Sequence, residues 1–251
     1  MTTTVAIVGA TGRMGTLISR LVNESLEFEL AAQLGSQGDL TSILGADIVV
    51  DVTAPGPSQR IVEYAVSNQL NVLVGTSGWS RERIASLEHE VALQPGVGVV
   101  IVPNFSIGSV LATSFAAMAG RFFESIEIVE AHHASKLDSP SGTAVRTAEL
   151  IGQARAELGP VVAPHVDQRA RGQQVSSIPI HSLRMQGVLA RQDVIFGGTG
   201  ELLTISHETI DPSSYETGIL LALRATRSAL GVTVGLDKLI NLGLDRDPAT
   251  P

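Results

Sequence analysis

The chain has no cysteine, which removes thiol nucleophiles, disulfide frameworks and thiolate metal sites together. Thioester chemistry of the aldehyde dehydrogenase kind is excluded with them. Aromatic residues make up only 4% of the chain. Apolar runs such as residues 48–50 and 97–103 fall far short of the roughly 20 residues a helix needs to cross a bilayer. The first residues read as a β-branched strand rather than a basic stretch before an apolar leader, so a cytoplasmic protein with no membrane attachment is expected. Positive charge is also scarce. Lys and Arg number 17 against 25 Asp and Glu, a formal charge of -8. The general attraction that feeds binding to nucleic acid or an anionic membrane is therefore missing, and no nucleic-acid partner is expected. Any anion site must be local. Lysine is the rarest cation, with Lys136 and Lys238 the only two in 251 residues. Glycine is plentiful at 25, and the length suits one large or two small domains.

Residues 5–8 form a short apolar run followed by Gly9-Ala10-Thr11-Gly12-Arg13-Met14-Gly15, after which Leu17, Ile18, Leu21 and Val22 recur at helical spacing. This is a strand, a glycine turn and a helix. Further strands are expected at 28–34, 46–52, 72–74 and 97–102. Helices are expected at 58–67, with Ile61, Val62, Ala65 and Val66 on one face, and at 80–92 from a Ser80 cap. Alternating strands and helices imply a doubly wound parallel sheet of the Rossmann type. The pattern then changes. A helix is expected over 109–123 with Val110, Leu111, Phe115, Met118 and Phe122 in one stripe. Alternating strands follow from residue 126, including 175–183, 191–196 and 202–207, with a polar Pro/Arg/Gln-rich stretch near 160–174. They imply an inserted α+β domain with a mixed or antiparallel sheet, one face solvated or at an interface. A final helix over 213–230 and a segment at 232–244 pack back on the first domain. The expected division is a dinucleotide-binding domain, residues 1–106 completed by 216–251, and a substrate-binding and oligomerisation domain, 107–215.

Glycines after the first strand let backbone N–H groups and a helix N-terminus approach a pyrophosphate. An acid that would accept from a ribose 2′-hydroxyl is absent between Glu29 and Asp39, where the second strand ends Gln33-Leu34-Gly35. That leaves room for a 2′-phosphate within reach of Arg13, so NADPH or dual use with NADH is expected. Two more loops, Gly75-Thr76-Ser77-Gly78 and Pro103-Asn104-Phe105-Ser106, follow strands at the edge where such sheets bind ligands.

The densest chemistry lies in Glu130-Ala-His132-His133-Ala-Ser-Lys136-Leu-Asp138-Ser-Pro-Ser141-Gly142-Thr143. Two of six histidines and one of two lysines stand just before a capped helix. A metal site is not expected, because the other histidines are scattered. Imidazole, ammonium and helix N–H groups would instead form a cationic pocket for a small carboxylate. Adjacent histidines on a strand point to opposite faces, so a turn must begin there if both serve one ligand.

Together with Pro103-Asn-Phe-Ser-Ile-Gly108, Ile180-His-Ser-Leu-Arg184 and Val194-Ile-Phe-Gly-x-x-Gly-Glu201, this block resembles the 4-hydroxy-tetrahydrodipicolinate reductases over nearly the whole chain. These are NAD(P)H-dependent enzymes of lysine and diaminopimelate biosynthesis. The resemblance implies that His132 is the general acid and Lys136 a proton donor near the ring nitrogen and carboxylate of a small dicarboxylate substrate. It implies that His133, Ser141, Gly142 and Thr143 bind carboxylate, and that Gly9, Ala10, Thr11, Gly12, Arg13 and Met14 hold the pyrophosphate. Gly35, Gly75, Thr76, Ser77, Val102, Pro103, Asn104 and Phe105 would flank ribose and nicotinamide. It further implies a homotetramer built on the alternating strands and closure about hinges near 106 and 215. The chain departs from the family pattern at Ser77, where Thr is usual, at Gln33 and Gly35, where an acid is usual, and near Pro212, where Arg is usual. The alternatives are another Rossmann reductase of a carbonyl or imine acid, and an NADP-binding redox sensor, which would not need the His-His-Lys block.

Overall fold

A computed structural model describes residues 2–240. In chain order the first elements are β1 (Thr3–Val8), α1 (Arg13–Glu24), β2 (Phe28–Leu34), β3 (Ile48–Asp51), α2 (Pro55–Ser67), β4 (Asn71–Val74), α3 (Arg81–Ala92) and β5 (Gly98–Ile101). They are followed by α4 (Ile107–Ala119), β6 (Ser125–His133), α5 (Gly142–Ala154), β7 (Gln173–Val175), β8 (Ile178–Met185), β9 (Ala190–Gly198) and β10 (Glu201–Thr209). The last are α6 (Glu216–Arg227) and β11 (Gly231–Val234). Two compact units result. One runs to Phe105 and resumes at Tyr215; the other is Ser106–Ser214.

The first unit holds a six-stranded parallel sheet of order β11-β5-β4-β3-β1-β2. Residues of β3 and β5 are buried throughout, as expected of strands covered on both faces. Helices α1 and α2 supply Ile18, Val22, Ile61, Val62 and Ala65 to the core. From β1 the chain steps to β2 on one side and returns to β3 on the other. The order of strands therefore reverses at the carboxyl ends of β1 and β3, where open α/β sheets form a ligand crevice. The segment expected only to pack back on this domain contributes a sixth strand, β11, paired with β5. Its remainder from 241 to 244 lies outside the described residues, and the final helix is shorter than expected, with a 3-10 turn over Pro212–Tyr215 before it.

In the second unit the sheet order is β10-β9-β6-β8-β7, with β6 and β8 parallel and the other pairs antiparallel. Ile126, Ile128, Ile178, Ile180, Val194 and Phe196 pack under Ala144, Ala148 and Ile151 of α5 and Ala116 of α4. The strand expected at 175–183 is instead two strands joined by Ser176-Ser177 at φ 50 and 68. Two consecutive left-handed residues make a tight hairpin turn, and serines there carry none of the Asn-Gly signal that usually marks one. The stripe on α4 also differs. Phe115, Met118 and Phe122 are 43%, 46% and 81% exposed. The helix instead turns small residues inward: Ala116 is buried, Thr113 meets Thr147 of α5, and a Cβ on Gly120 would lie 2.6 Å from Ile151. Close approach of two helices selects small side chains at the contact, and the larger apolar ones are left outside.

Candidate functional site

In the first unit, the β1–α1 loop presents Gly9, Ala10, Thr11 and Gly12 with Arg13 and Met14 opening α1. Gly9 has φ +91, and a Cβ there would sit 2.5 Å from the Val52 carbonyl oxygen. A Cβ on Gly15 would overlap the Gly9 carbonyl oxygen and the Ala10 backbone. Both positions exclude any side chain, Gly9 against the end of β3 and Gly15 where α1 meets its own loop. Gly12 caps α1 without a side-chain hydrogen bond and no acid stands in the first turn. The loop is tied to the end of β2, because Gly9 and Ala10 N–H donate to the Leu34 carbonyl at 2.9 and 3.0 Å. Gly35 follows directly, with Thr11 nearest to the place of its missing side chain. A glycine cradle and a helix N-terminus with no side-chain cap and no acid in its first turn are what a nicotinamide dinucleotide's pyrophosphate requires. The residues fit that group.

The remaining candidates of this unit follow β4 and β5. Buried Asp51, at the end of β3, accepts from Thr53 Oγ1 at 2.6 Å, from Thr53 N–H at 3.2 Å and from Ser58 Oγ. Trp79 Nε1 donates to Ser58 Oγ at 3.1 Å, and Thr53 N–H also reaches Thr76 Oγ1 at 2.9 Å. One carboxylate thus holds the loops after β3 and β4 in fixed relation. Ser77 and Pro103 are exposed and Asn104 is partly so, whereas the Val102 and Phe105 side chains are 0% and 4% exposed. Phe105 fills the space beside Gly75, where a Cβ would meet its ring at 2.8 Å. Val102 and Phe105 therefore present backbone rather than side chain.

In the second unit the His-His-Lys block is assembled around a residue that the spacing alone left without a role. Glu130 and His132, two apart on β6, share a face, and Glu130 is fully buried. His132 Nδ1 lies 2.6 Å from Glu130 Oε2, and Arg184 of β8 grips both carboxylate oxygens at 2.9 Å. Ser141 N–H, at the cap of α5, adds 3.2 Å to Oε1. Burial pushes the Glu130 carboxyl up, but hydrogen bonds from His132, Arg184 and Ser182 outweigh it and hold the group at about 2. Being ionised, Glu130 only accepts, so the proton between the two groups belongs to His132 Nδ1. That leaves Nε2 as the ring nitrogen open to a ligand.

His133 ends β6 on the opposite face, with Nδ1 2.9 Å from Ser135 Oγ. The turn begins there, with Lys136 N–H donating to the His133 carbonyl at 3.0 Å. Lys136 Nζ pairs with Asp138 at 2.7 Å. Arg184 Nη2 also donates to the Asp138 carbonyl at 2.6 Å. The Ser141 hydroxyl accepts from Ala144 N–H at 3.3 Å, Gly142 and Thr143 form the first turn of α5, and no acid stands there. His132, Lys136, Ser141, Gly142 and Thr143 are thus brought together around Glu130 and Arg184. Of these two, Glu130 had a signal in the sequence, its spacing of two from His132 on a strand. Arg184 had none. Among the described residues no group of His, Asp and Glu is arranged to hold a metal ion.

The family model "Dihydrodipicolinate reductase, N-terminus" matches residues 3–105, and "Dihydrodipicolinate reductase, C-terminus" matches 108–240. A 4-hydroxy-tetrahydrodipicolinate reductase of Clavibacter sepedonicus is 70% identical over 250 residues, covering 100% of this chain and 90% of the relative. One of Streptomyces griseus subsp. griseus is 43% identical, with 95% and 98% covered. The solved structure of a dipicolinate-bound dihydrodipicolinate reductase from Paenisporosarcina sp. TG-14 superposes with TM-score 0.79 at 28% identity, covering 96% of this chain and 100% of that one. The scyllo-inositol dehydrogenase of Lactobacillus casei, at 13% identity and TM-score 0.60, shares the fold. From the agreement of both family models and these relatives over nearly its full length, the chain belongs to the dihydrodipicolinate reductase family.

Proposed function

We propose that the chain catalyses the NAD(P)H-dependent reduction of 4-hydroxy-tetrahydrodipicolinate, through its dehydrated cyclic imine, to tetrahydrodipicolinate. The observation that carries the residue roles is the pairing of His132 with an ionised Glu130 beside Lys136 and the N-terminus of α5. The substrate is a small dicarboxylate. Ser141 and the backbone of Gly142 and Thr143 bind a carboxylate, which a helix N-terminus with no acid in its first turn favours, and His133 joins them only through the turn that begins at it.

The nicotinamide, when bound, supplies the hydride that reduces the ring at C4. The loop Gly9 to Met14 holds the pyrophosphate, and Gly35, Gly75, Thr76, Ser77, Pro103 and Asn104 hold ribose and nicotinamide, with Val102 and Phe105 contributing backbone. Reduction at C4 leaves an enamine that needs a proton at C3. His132 delivers it from Nε2, a step worth ~10²- to 10⁴-fold, and the ring remains as the Nδ1–H form that Glu130 accepts from. Lys136 offsets charge that grows on the ring nitrogen and carboxylate region. With no acid at the end of β2, the 2′-phosphate of NADPH is accepted as readily as the hydroxyl of NADH, and Arg13, exposed at the start of α1, attracts it.

The sheet face of the second unit that carries His133 also bears Leu183, Met185 and Leu202 at 49%, 48% and 76% exposure. We read it as the face that joins copies of the chain in a homotetramer. Light scattering tests this, with a monomeric mass as the contrary result. The activity is tested by following NADPH oxidation while the preceding synthase makes the substrate in place from pyruvate and aspartate semialdehyde. Absence of consumption at micromolar enzyme refutes the proposed activity.

A further inference from the structure

Three separate parts of the second unit meet on one ion pair. Glu130 receives His132 Nδ1 at 2.6 Å and the Ser141 N–H of the α5 cap at 3.2 Å. The Arg184 guanidinium binds that carboxylate through both Nη atoms. It also donates to the backbone carbonyls of Leu183 at 2.7 Å and Asp138 at 2.6 Å. Asp138 in turn holds Lys136 Nζ at 2.7 Å. The strand register brings this about, because Arg184 of β8 is the parallel partner of His132 and Ser182 that of Glu130. On the other side Gln192 of β9 is the partner of Glu130 and donates from Nε2 to Thr147 of α5 at 3.0 Å.

A buried carboxylate without partners is strongly unfavourable, whereas a buried ion pair far from any reacting group can be replaced whole by apolar side chains at little cost. Here the charge is retained beside the ring that donates the proton. A planar guanidinium suits the place because it can bind a carboxylate with one edge and still reach two carbonyls.

We propose that Glu130 and Arg184 are positioning residues of the reduction, Glu130 fixing His132 so that Nε2 is the donating nitrogen, and Arg184 locking both to the loop that carries Lys136. The inference rests on the roles of His132 and Lys136 proposed above. In the step concerned, hydride reaches C4 and oxidises the dihydronicotinamide, and the enamine takes a proton at C3 from Nε2. The imidazole is left neutral, keeping its Nδ1 proton in the hydrogen bond to Glu130. Water then restores the Nε2 proton. Without Glu130 the ring is free to turn or to carry its proton on the other nitrogen, which is the fault produced when the orienting carboxylate of a catalytic histidine is removed.

The test compares wild type with Glu130→Gln, Arg184→Lys and Arg184→Ala. It reads kcat, KM for NADPH, the solvent deuterium isotope effect on kcat, and rescue of Arg184→Ala by added guanidinium. The expected result is a kcat lower by about 10²-fold in Glu130→Gln and Arg184→Ala, with KM for NADPH within about twofold. The isotope effect should be larger than in wild type, because protonation at C3 has become limiting, and guanidinium should restore part of the Arg184→Ala rate. Arg184→Lys, which keeps charge but not the fork, should fall between. A structural role alone would lower the rate through loss of folded enzyme and leave the isotope effect unchanged; that result overturns the proposal, as does wild-type kcat in Glu130→Gln. If the wild-type chain itself fails to oxidise NADPH, the proposed activity falls. If wild type turns over and His132→Gln does not, while the Glu130 and Arg184 variants match wild type, only the positioning role falls.

Discussion

The Glu130 carboxyl makes the acid stability of the second unit predictable. Its side chain is fully buried, and its net displacement runs from 4.5 down to about 2. A folded value below the unfolded one means stability that is fully present above the unfolded value and disappears as pH falls through the folded one. The step from 4.5 to about 2, at roughly 1.4 kcal/mol per pH unit, corresponds to about 3–4 kcal/mol, lost between about pH 5 and pH 2. Glu127 and Asp138 of the same unit are also held low, Glu127 by Arg171 and His181 and Asp138 by Lys136, each against burial. Wild type therefore loses more than the Glu130 share, and the comparison must be with Glu130→Gln, in which that share is missing. At neutral pH the variant leaves Arg184 beside an uncharged amide and should be less stable by about 3 kcal/mol or more. The gap between the two proteins should then close as pH falls. Trp79, Tyr64 and Tyr215 all lie in the first unit, so tryptophan and tyrosine fluorescence reports on the wrong place. Hydrogen exchange of peptides covering β6, measured down the pH series, reports on the right one. A gap that stays constant across that range would refute the assignment of the acid-labile stability to Glu130.

Other outcomes follow from single contacts. His132→Gln and Lys136→Ala should each lower kcat by at least ~10²-fold with NADPH affinity nearly intact; wild-type turnover in His132→Gln would place the acid elsewhere. Arg13→Ala should weaken NADPH and spare NADH, and equal effects on both, by fluorescence titration, would remove Arg13 from the 2′-phosphate. Gly15→Ala drives a methyl group into the Gly9–Ala10 backbone and should raise the dissociation constant for either cofactor by at least ~10-fold; an unchanged constant would show that the cradle is not where the pyrophosphate lies.

Much of the parallel half is legible in the sequence because each buried strand is an unbroken apolar run closed by a turn residue. The strand 28–34 and the Ser80 cap of α3 stand where the pattern puts them. Less legible is whatever depends on a partner far away in the chain. The four residues of β11 have no period of their own and become a strand only by pairing with β5. The apolar stripe of α4 misled because hydrophobicity alone does not say which face is buried. Ser109, Thr113, Ala116 and Gly120 recur at the same helical spacing, and it is their small size that admits α5.

The same division runs through the candidate site. The groups proposed to react, His132 and Lys136, are local to one segment and stand out because histidines and lysines are few. What gives them direction does not stand out. Arg184 lies 54 residues beyond Glu130 and is one of many arginines, and only the parallel register of β6 with β8 brings the two together. Position within that register decides the chemistry. A shift of one residue would turn Arg184 to the other face of the sheet and leave a buried carboxylate with the histidine as its single cationic partner. Strand alignment is therefore what brings the proposed positioning pair to the histidine proposed as proton donor.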